Sequence, residues 1–186
     1  MLRPAEGRDR DLVRGWRNHP DVRAMSLTQH EITPSEHAAW WDRATVDPTR
    51  RVLVYDRRGT PSGSVTFFDI VAAATSAGGT ERSAWWGYFL DVVGLQERGE
   101  LLPAWIEVVR EGTRYAVEEL GLDVLHGEVL ERNEAVRSLN RRFGIREVGS
   151  ERRDLGGTTE TVLRLELRAG DVRSRAAARS AGGPSA

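Results

Sequence analysis

The sequence predicts one α+β (mixed α/β) domain built on a single central sheet. Segments with strand periodicity and helical periodicity alternate along residues 2–168, an order that favours one sheet flanked by helices. The apolar strand 85–90 is followed by a polar turn and a long helical segment. A second strand, 124–130, leads into a helix that begins at Asn133. Because helices connect these strands, we expect parallel pairing around the strand 85–90.

The N-terminal half combines two helices with four strands. Segment 8–18 carries apolar residues on one face and is predicted as a helix that ends before Pro20. Thr33 is a predicted N-cap, and Glu36 stands at capping-box spacing, so a second helix begins there. A Gly/Ala/Ser/Thr-rich loop is expected at 72–80. The predicted strands are 2–5, 51–56, 62–70 and 83–92.

The C-terminal half continues the alternation and then loses it. The predicted elements are a helix at 102–120, a strand at 124–130, a helix at 133–142 and strands at 144–151 and 159–167. Residues 169–186 are rich in Ala, Arg, Ser and Gly and have no apolar periodicity. We therefore predict a domain at 1–168 followed by a disordered tail at 169–186.

The composition excludes several classes of function. The formal net charge is -1, so no overall charge drives binding to nucleic acid or to an anionic membrane surface. Cysteine is absent and all 27 basic residues are arginine, which excludes cysteine nucleophiles, disulfides and lysine Schiff bases. The four histidines lack metal-ligand spacing, so no metal is expected. Without an apolar leader or a run of about 20 apolar residues, we expect a cytoplasmic protein that does not enter a membrane.

Two short motifs indicate chemistry. The turn 96–101, Gln-Glu-Arg-Gly-Glu-Leu, follows a strand and opens a helix, where backbone N–H groups can bind an anion. The second motif runs from Asn133 through Ser138-Leu139-Asn140 to Phe143-Gly144-Ile145. Together they resemble the patterns Q/R-x-x-G-x-G/A and N-x-x-A/S-x-x-L-Y-x-x-x-G-F of the GNAT-superfamily N-acetyltransferases. The resemblance covers about residues 2–168.

The resemblance implies a GNAT acyl-CoA N-acyltransferase fold, with acetyl-CoA as co-substrate, no metal and a small-molecule acceptor. It implies that a backbone N–H near Leu90 stabilises the thioester oxygen, and that Glu128 acts as a base, directly or through water. Either Tyr88 or a water would protonate the thiolate, or the thiolate would leave unaided, and His30 would line the acceptor pocket. The residues implied to contact CoA are Leu90, Gln96, Arg98, Gly99, Glu100, Leu101, Asn133 and Asn140.

The N-terminal segments resemble one branch of this superfamily. These segments are Trp16-Arg17-Asn18, 29–33, Glu36-His37 and Trp40. They are similar to the N-acetyltransferases that act on nucleotide-linked amino sugars, as in pseudaminic acid synthesis. The N-terminal acetyltransferases of ribosomal proteins share the Trp-Arg-Asn opening, so a protein acetyltransferase stays open. A homodimer is one option for the assembly, which the sequence does not decide.

Four residues depart from the family pattern. Asn140 stands where the family has a tyrosine that acts as general acid, and an amide cannot supply a proton. Leu101 ends the turn in place of a glycine or alanine, and Glu97 and Glu100 would repel a bound diphosphate. Two further alternatives therefore remain. The first is an enzyme of secondary metabolism with weakened or no CoA use and a different reaction, and the second is a non-catalytic binding module.

Overall fold

The structure, a computed structural model, describes residues 1–71 and 81–172. The predicted loop 72–80 and the part of the predicted tail at 173–186 lie outside the described residues. The strands are β1 (Leu2–Pro4), β2 (Arg51–Arg57), β3 (Thr60–Val71), β4 (Ser83–Leu90), β5 (Val124–Leu130), β6 (Arg146–Asp154) and β7 (Thr159–Arg168). The α-helices include α1 (Arg10–Asn18), α2 (Pro20–Ala24), α3 (Pro34–Ala44), α4 (Val92–Glu97), α5 (Leu101–Glu118) and α6 (Glu134–Arg142).

The strands form one mixed sheet of seven strands in the order β1-β2-β3-β4-β5-β7-β6. Strands β4 and β5, the fourth and fifth along the sheet, pair in parallel. The other neighbours pair antiparallel. The predicted mixed α/β class is therefore confirmed, and so is parallel pairing between the strand that contains residues 85–90 and the strand 124–130.

Helices cover both faces of this sheet. On one face, α1 and α3 pack on β2 in a cluster of Val13, Trp16, Trp41, Ala44, Val52 and Val54. On the other face, α5 and α6 pack on a larger core. Successive residues of β4 point to opposite faces, so Trp86 belongs to the larger core while Phe89 packs against the smaller one. In the described part of the chain, no helix is both long enough and apolar enough to cross a membrane.

Two of the differences from the predicted boundaries concern α4 and the C-terminal end of the domain. Residues 92–97 form a helix, α4, because Asp91 Oδ1 accepts from the Gly94 N–H (3.1 Å) and Leu95 is fully buried. The predicted turn 96–101 is thereby shortened to residues 98–100. At the other end, the described chain continues past residue 168: Ala169 is buried and its N–H donates to the Asp123 carbonyl (2.9 Å). The division into a domain at 1–168 and a disordered tail at 169–186 stays a prediction.

Trp86 packs between two glycines, and this contact predicts a large effect of Gly112→Ala. A Cβ at Gly112 in α5 would lie 2.6 Å from Trp86 Cζ3. Because overpacking a rigid core typically costs about 1–3 kcal/mol, we expect a loss of this order in the free energy of unfolding. The measurement is chemical denaturation.

Gly15→Ala is the matched control, because Gly15 is also in a helix and a Cβ there would meet nothing within 4 Å. It should stabilise the chain by about 0.4–1 kcal/mol, and equal effects of the two substitutions would contradict this account of the packing.

Candidate active site

Strands β4 and β5 diverge after a short parallel ladder. Their pairing covers four positions, from Ser83↔Val124 to Trp86↔Gly127. Beyond that point β4 stays paired with β3 up to Leu90, and β5 stays paired with β7 up to Leu130. The two strands therefore separate in the middle of the sheet and leave a gap between residues 88–90 and 128–130.

A cavity of about 1000 Å³ lies at this gap. Residues from α1, α2 and α3 line it from one face of the sheet, and residues from α5 and α6 line it from the other. A continuous cavity with walls from both faces can hold two molecules that meet at the gap, one from each side. The sheet itself positions the meeting point, because both strands are anchored by their outer neighbours.

The backbone of β4 directs N–H groups into the gap. The Asp91 N–H donates to the Ser62 carbonyl, which belongs to β3 (2.9 Å). Because backbone groups alternate in direction along a strand, the N–H groups of Tyr88 and Leu90 face the other way, towards β5. The Leu90 side chain is fully buried. The backbone of Leu90, and not its side chain, is therefore the part that a molecule in the gap can contact.

Tyr88 and Asn140 form a polar contact across the cavity. The Tyr88 hydroxyl donates to Asn140 Oδ1 at 3.1 Å, and both residues line the cavity. Burial raises the pKa of the Tyr88 phenol far above its ordinary value. Asn140 is itself buried and, as the acceptor of this hydrogen bond, fixes the direction of the Tyr88 hydroxyl proton.

Glu128 lines the cavity from β5, and an arginine holds it in place. Arg153 of β6 donates to both of its carboxylate oxygens, at 3.0 Å and 2.7 Å. The same guanidinium also contacts Glu151. A bidentate contact fixes the orientation of a carboxylate. Glu128 is therefore a held carboxylate at the edge of the gap, and a proton can reach it directly or through water.

The turn before α5 provides fewer anion-binding groups than the sequence motif implies. The N–H groups of Gly99 and Glu100 donate back to carbonyls of α4, at 3.0 Å and 2.8 Å. First-turn N–H groups of a helix have no partner within the helix, and Pro103 has no N–H to offer. The backbone donors that remain at the start of α5 are those of Leu101 and Leu102, and both residues line the cavity.

Glu100 is turned away from the helix N-terminus and neutralised. Its side chain is 12% exposed and contacts Arg58 at 2.9 Å, Arg57 at 3.4 Å and Arg98 at 3.5 Å. Arg98 also donates to the Ser62 hydroxyl at 3.1 Å. The predicted repulsion between Glu100 and a diphosphate is thus offset by three guanidinium groups. Glu97 is exposed on α4.

The remaining predicted residues lie at different places. Asn133 caps α6, since its Oδ1 accepts from the Val136 N–H (3.3 Å), and it lines the cavity. His30 is exposed and contacts Glu36 at 2.9 Å, and Glu36 lines the cavity. The structure therefore gathers five predicted site residues on the cavity wall, namely Tyr88, Leu101, Glu128, Asn133 and Asn140. Those that lie off this wall are His30, Leu90, Gln96, Arg98, Gly99 and Glu100.

Arg17 and His37 are cavity residues that the sequence analysis names only as part of a resemblance, without a chemical role. Arg17 and His37 both line the cavity from the α1–α3 side. His37 is buried between Trp40 and Trp41, with ring centroids at 5.3 Å and 5.8 Å, and its Nδ1 has no hydrogen-bond partner among the described residues. Periodicity places His37 one turn inside a helix, but only the neighbouring tryptophans show that the imidazole is desolvated.

His37 gives stability a pH dependence. Burial lowers the pKa of the imidazole, and the positive charge of Arg14 lowers it further. An unfolded histidine has a pKa of about 6.5, so below that pH the unfolded chain takes up a proton that the folded chain does not. The free energy of unfolding should therefore fall as the pH drops below about 6.5, and less so in His37→Gln. Denaturation at about pH 7.5 and about pH 5.5 measures both slopes, and equal slopes would contradict this assignment.

Comparison with solved structures shows that the fold is the GNAT acetyltransferase fold. The sequence matches no protein-family model and no curated protein. Solved structures do match. The spermidine N-acetyltransferase of Vibrio cholerae, in complex with CoA and spermine, has a TM-score of 0.77 and 18% identity, over 93% of this chain and 97% of that one. A protein assigned as a phosphinothricin N-acetyltransferase has a TM-score of 0.70 and 20% identity, over 91% and 98%. At these identities the similarity establishes the fold.

Proposed function

We propose that this protein transfers an acetyl group from acetyl-CoA to the primary amine of a small acceptor, a nucleotide-linked amino sugar. The observation that supports this most is the gap between β4 and β5, over a cavity of about 1000 Å³ that is lined from both faces of the sheet. Acetyl-CoA enters from the α5–α6 side and the acceptor from the α1–α3 side. The two reacting groups then meet beside Tyr88 and Glu128.

The reaction needs three kinds of help from the chain. Bound acetyl-CoA supplies the thioester carbon, to which the amine nitrogen bonds as the carbon–sulfur bond breaks. The Leu90 N–H donates to the carbonyl oxygen, on which negative charge develops. Glu128 accepts the proton that the amine must lose, directly or through water. The leaving sulfur must be stabilised and protonated.

Tyr88 stabilises the leaving sulfur by a hydrogen bond. A free thiol has a pKa of about 8.5, and burial holds the pKa of Tyr88 well above that of a free phenol. Complete proton transfer from Tyr88 to the sulfur is therefore unfavourable, whereas a hydrogen bond from the neutral phenol is not. The proton that the amine loses is the natural source of the proton that the sulfur gains. The hydroxyl has one proton, so a hydrogen bond to the sulfur takes the place of the one that Tyr88 donates to Asn140 Oδ1.

The CoA nucleotide is held at the start of α5. The N–H groups of Leu101 and Leu102 can bind the diphosphate, aided by the helix dipole, while the Arg98 guanidinium lies 3.5 Å from the Glu100 carboxylate and offsets its charge. Asn133 and Asn140 line the pantetheine side of the cavity. Gln96, Gly99 and Glu100 shape the turn through contacts that involve α4.

The acceptor class rests on similarity and on the N-terminal segments. The solved neighbours are named for amine acetylation, and one of them was solved with spermine. The segments Trp16-Arg17-Asn18 and 29–37 resemble the amino-sugar branch. We therefore place a nucleotide-linked amino sugar ahead of a polyamine and ahead of a protein N-terminus.

The test is thiol release from acetyl-CoA in the presence of a nucleotide-linked amino sugar, spermidine or an N-terminal peptide. We expect thiol release with the amino sugar, together with an N-acetylated product detected by mass spectrometry. Release only with the peptide would favour the protein acetyltransferase. No release with any amine, but binding of acetyl-CoA by calorimetry, would favour the binding module. Neither release nor binding would favour the enzyme with a different reaction.

A further inference from the structure

The acceptor side of the cavity holds a guanidinium without an anionic partner. Arg17 lines the cavity at the end of α1, and its Nη2 donates to the Thr28 carbonyl at 2.9 Å. Its Nη1 is buried and has no hydrogen-bond partner among the described residues. Burial lowers the pKa of Arg17, and the positive charge of Arg23 lowers it further. The fold therefore keeps a positive charge here against its desolvation cost.

The carboxylates of the same cavity do not neutralise this charge. Those on its wall are Asp21, Glu36 and Glu128. Glu36 contacts His30 at 2.9 Å, and Glu128 is held by Arg153. The Asp21 side chain is 81% exposed. Each of these carboxylates has an ion-pair partner or is exposed to water. The Arg17 guanidinium has no ion-pair partner among the described residues, and its Nη1 is buried.

The segments outside the described residues have no acidic side chain to offer. Residues 72–80 and 173–186 contain neither aspartate nor glutamate. Among the described residues, no carboxylate forms an ion pair with Arg17. An anion that satisfies Arg17 would therefore have to come from a bound molecule.

Anchoring the loop after α2 does not by itself explain a buried arginine. Asn18 already fastens this loop through two hydrogen bonds with the backbone of Ile32, at 2.8 Å and 2.9 Å. The contact between Arg17 and Thr28 uses one nitrogen of the guanidinium and leaves Nη1 as a buried donor. A neutral donor could make the Thr28 contact without the cost of burying a charge.

We propose that Arg17 binds an oxyanion of the acceptor, a carboxylate or a phosphate group, while the amine of the acceptor faces the gap. A guanidinium is suited to both groups, because its N–H donors match two oxygens at once. The identification of the ligand as the acceptor rests on the proposed acetyl transfer. The anion site itself does not depend on that proposal. The diphosphate of a nucleotide-linked sugar fits this requirement, and a polyamine does not, because Arg17 repels a cation.

The test measures binding without acetyl-CoA, by quenching of tryptophan fluorescence, since Trp40 and Trp85 line the cavity. The probes are two pairs that differ by one anionic group. Glucosamine 6-phosphate is compared with glucosamine, and 4-aminobutyrate with butylamine. The variants are Arg17→Ala and Arg17→Gln, which keeps a donor for Thr28. Arg14→Ala is the matched control, because Arg14 is on the same helix, its buried Nε has no hydrogen-bond partner among residues 1–71 and 81–172, and it is not on the cavity wall.

We expect the anionic member of at least one pair to bind the unaltered chain about tenfold more tightly than its partner. The pair that shows this preference distinguishes phosphate from carboxylate. The preference should disappear in Arg17→Gln and persist in Arg14→Ala, and Arg17→Gln decides the matter if Arg17→Ala does not fold. No preference in the unaltered chain, or an equal preference in Arg17→Gln, overturns the proposal. Anion binding without thiol release would overturn the proposed acetyl transfer alone.

Discussion

Tyr88→Phe is expected to lower kcat for thiol release by about a hundredfold, a typical contribution of a positioned proton-transfer or hydrogen-bonding group. The hydroxyl that this change removes is the one that donates to Asn140 and faces the cavity. Phenylalanine keeps the ring contacts with Trp86 and Trp105, at 4.7 Å and 6.0 Å between centroids. Binding of acetyl-CoA should therefore change little, and the loss should appear in kcat and not in KM.

Tyr115→Phe is the matched control for this prediction. Tyr115 is also partly buried, burial also raises the pKa of its phenol, and it stacks on Phe67 at 5.6 Å. It is not on the cavity wall. The control should keep kcat within about twofold of the unaltered chain, because a hydroxyl removed outside the cavity does not touch the reacting groups. Equal losses in both variants, or none in Tyr88→Phe, would contradict the role of Tyr88.

Glu128→Gln is expected to cause the second large loss, of about a hundredfold in kcat/KM. Glutamine has nearly the same shape and can still accept a hydrogen bond from Arg153, but it cannot take up the proton of an ammonium group. The loss should shrink with acceptor amines of lower pKa, because a larger fraction of such an amine is already deprotonated. Rates over a series of amines measure this dependence directly.

Glu147→Gln is the matched control for Glu128. Arg137 holds Glu147 in a similar two-point contact, at 2.9 Å and 3.1 Å, and Glu147 is not on the cavity wall. Glutamine there should leave kcat/KM unchanged, because ion pairs on the surface contribute little. A loss in Glu128→Gln that did not depend on the amine pKa would leave Glu128 as a positioning group and would remove it as the base.

The sequence predicted the sheet well because strand and helix periodicity are local signals. The parallel pairing of the strand 85–90 with the strand 124–130 followed from the helix between them, and the structure has that pairing. Helix α4 was missed for a physical reason. Its start depends on the cap at Asp91 and on the burial of Leu95, and six residues are too few for apolar periodicity to distinguish a short helix from a loop.

The environment of each charged residue could not be predicted, because it depends on contacts distant in sequence. Glu100 looked like a repulsive neighbour for a diphosphate, yet Arg57 at the end of β2 and Arg58 in the turn after it both contact its carboxylate. Glu128 looked like a free base, yet Arg153 from β6 holds it. Arg17 was named only within the segment Trp16-Arg17-Asn18, and the burial of its Nη1 depends on how α1 packs in the fold.

The measurement that tests the central claim most directly is a crystal structure of this protein with CoA. The account predicts that the pantetheine arm lies in the gap between residues 88–90 of β4 and residues 128–130 of β5. It predicts the sulfur within hydrogen-bond distance of the Tyr88 hydroxyl, and the diphosphate at the N–H groups of Leu101 and Leu102. CoA bound elsewhere, or no CoA in the gap at millimolar concentration, would contradict the account.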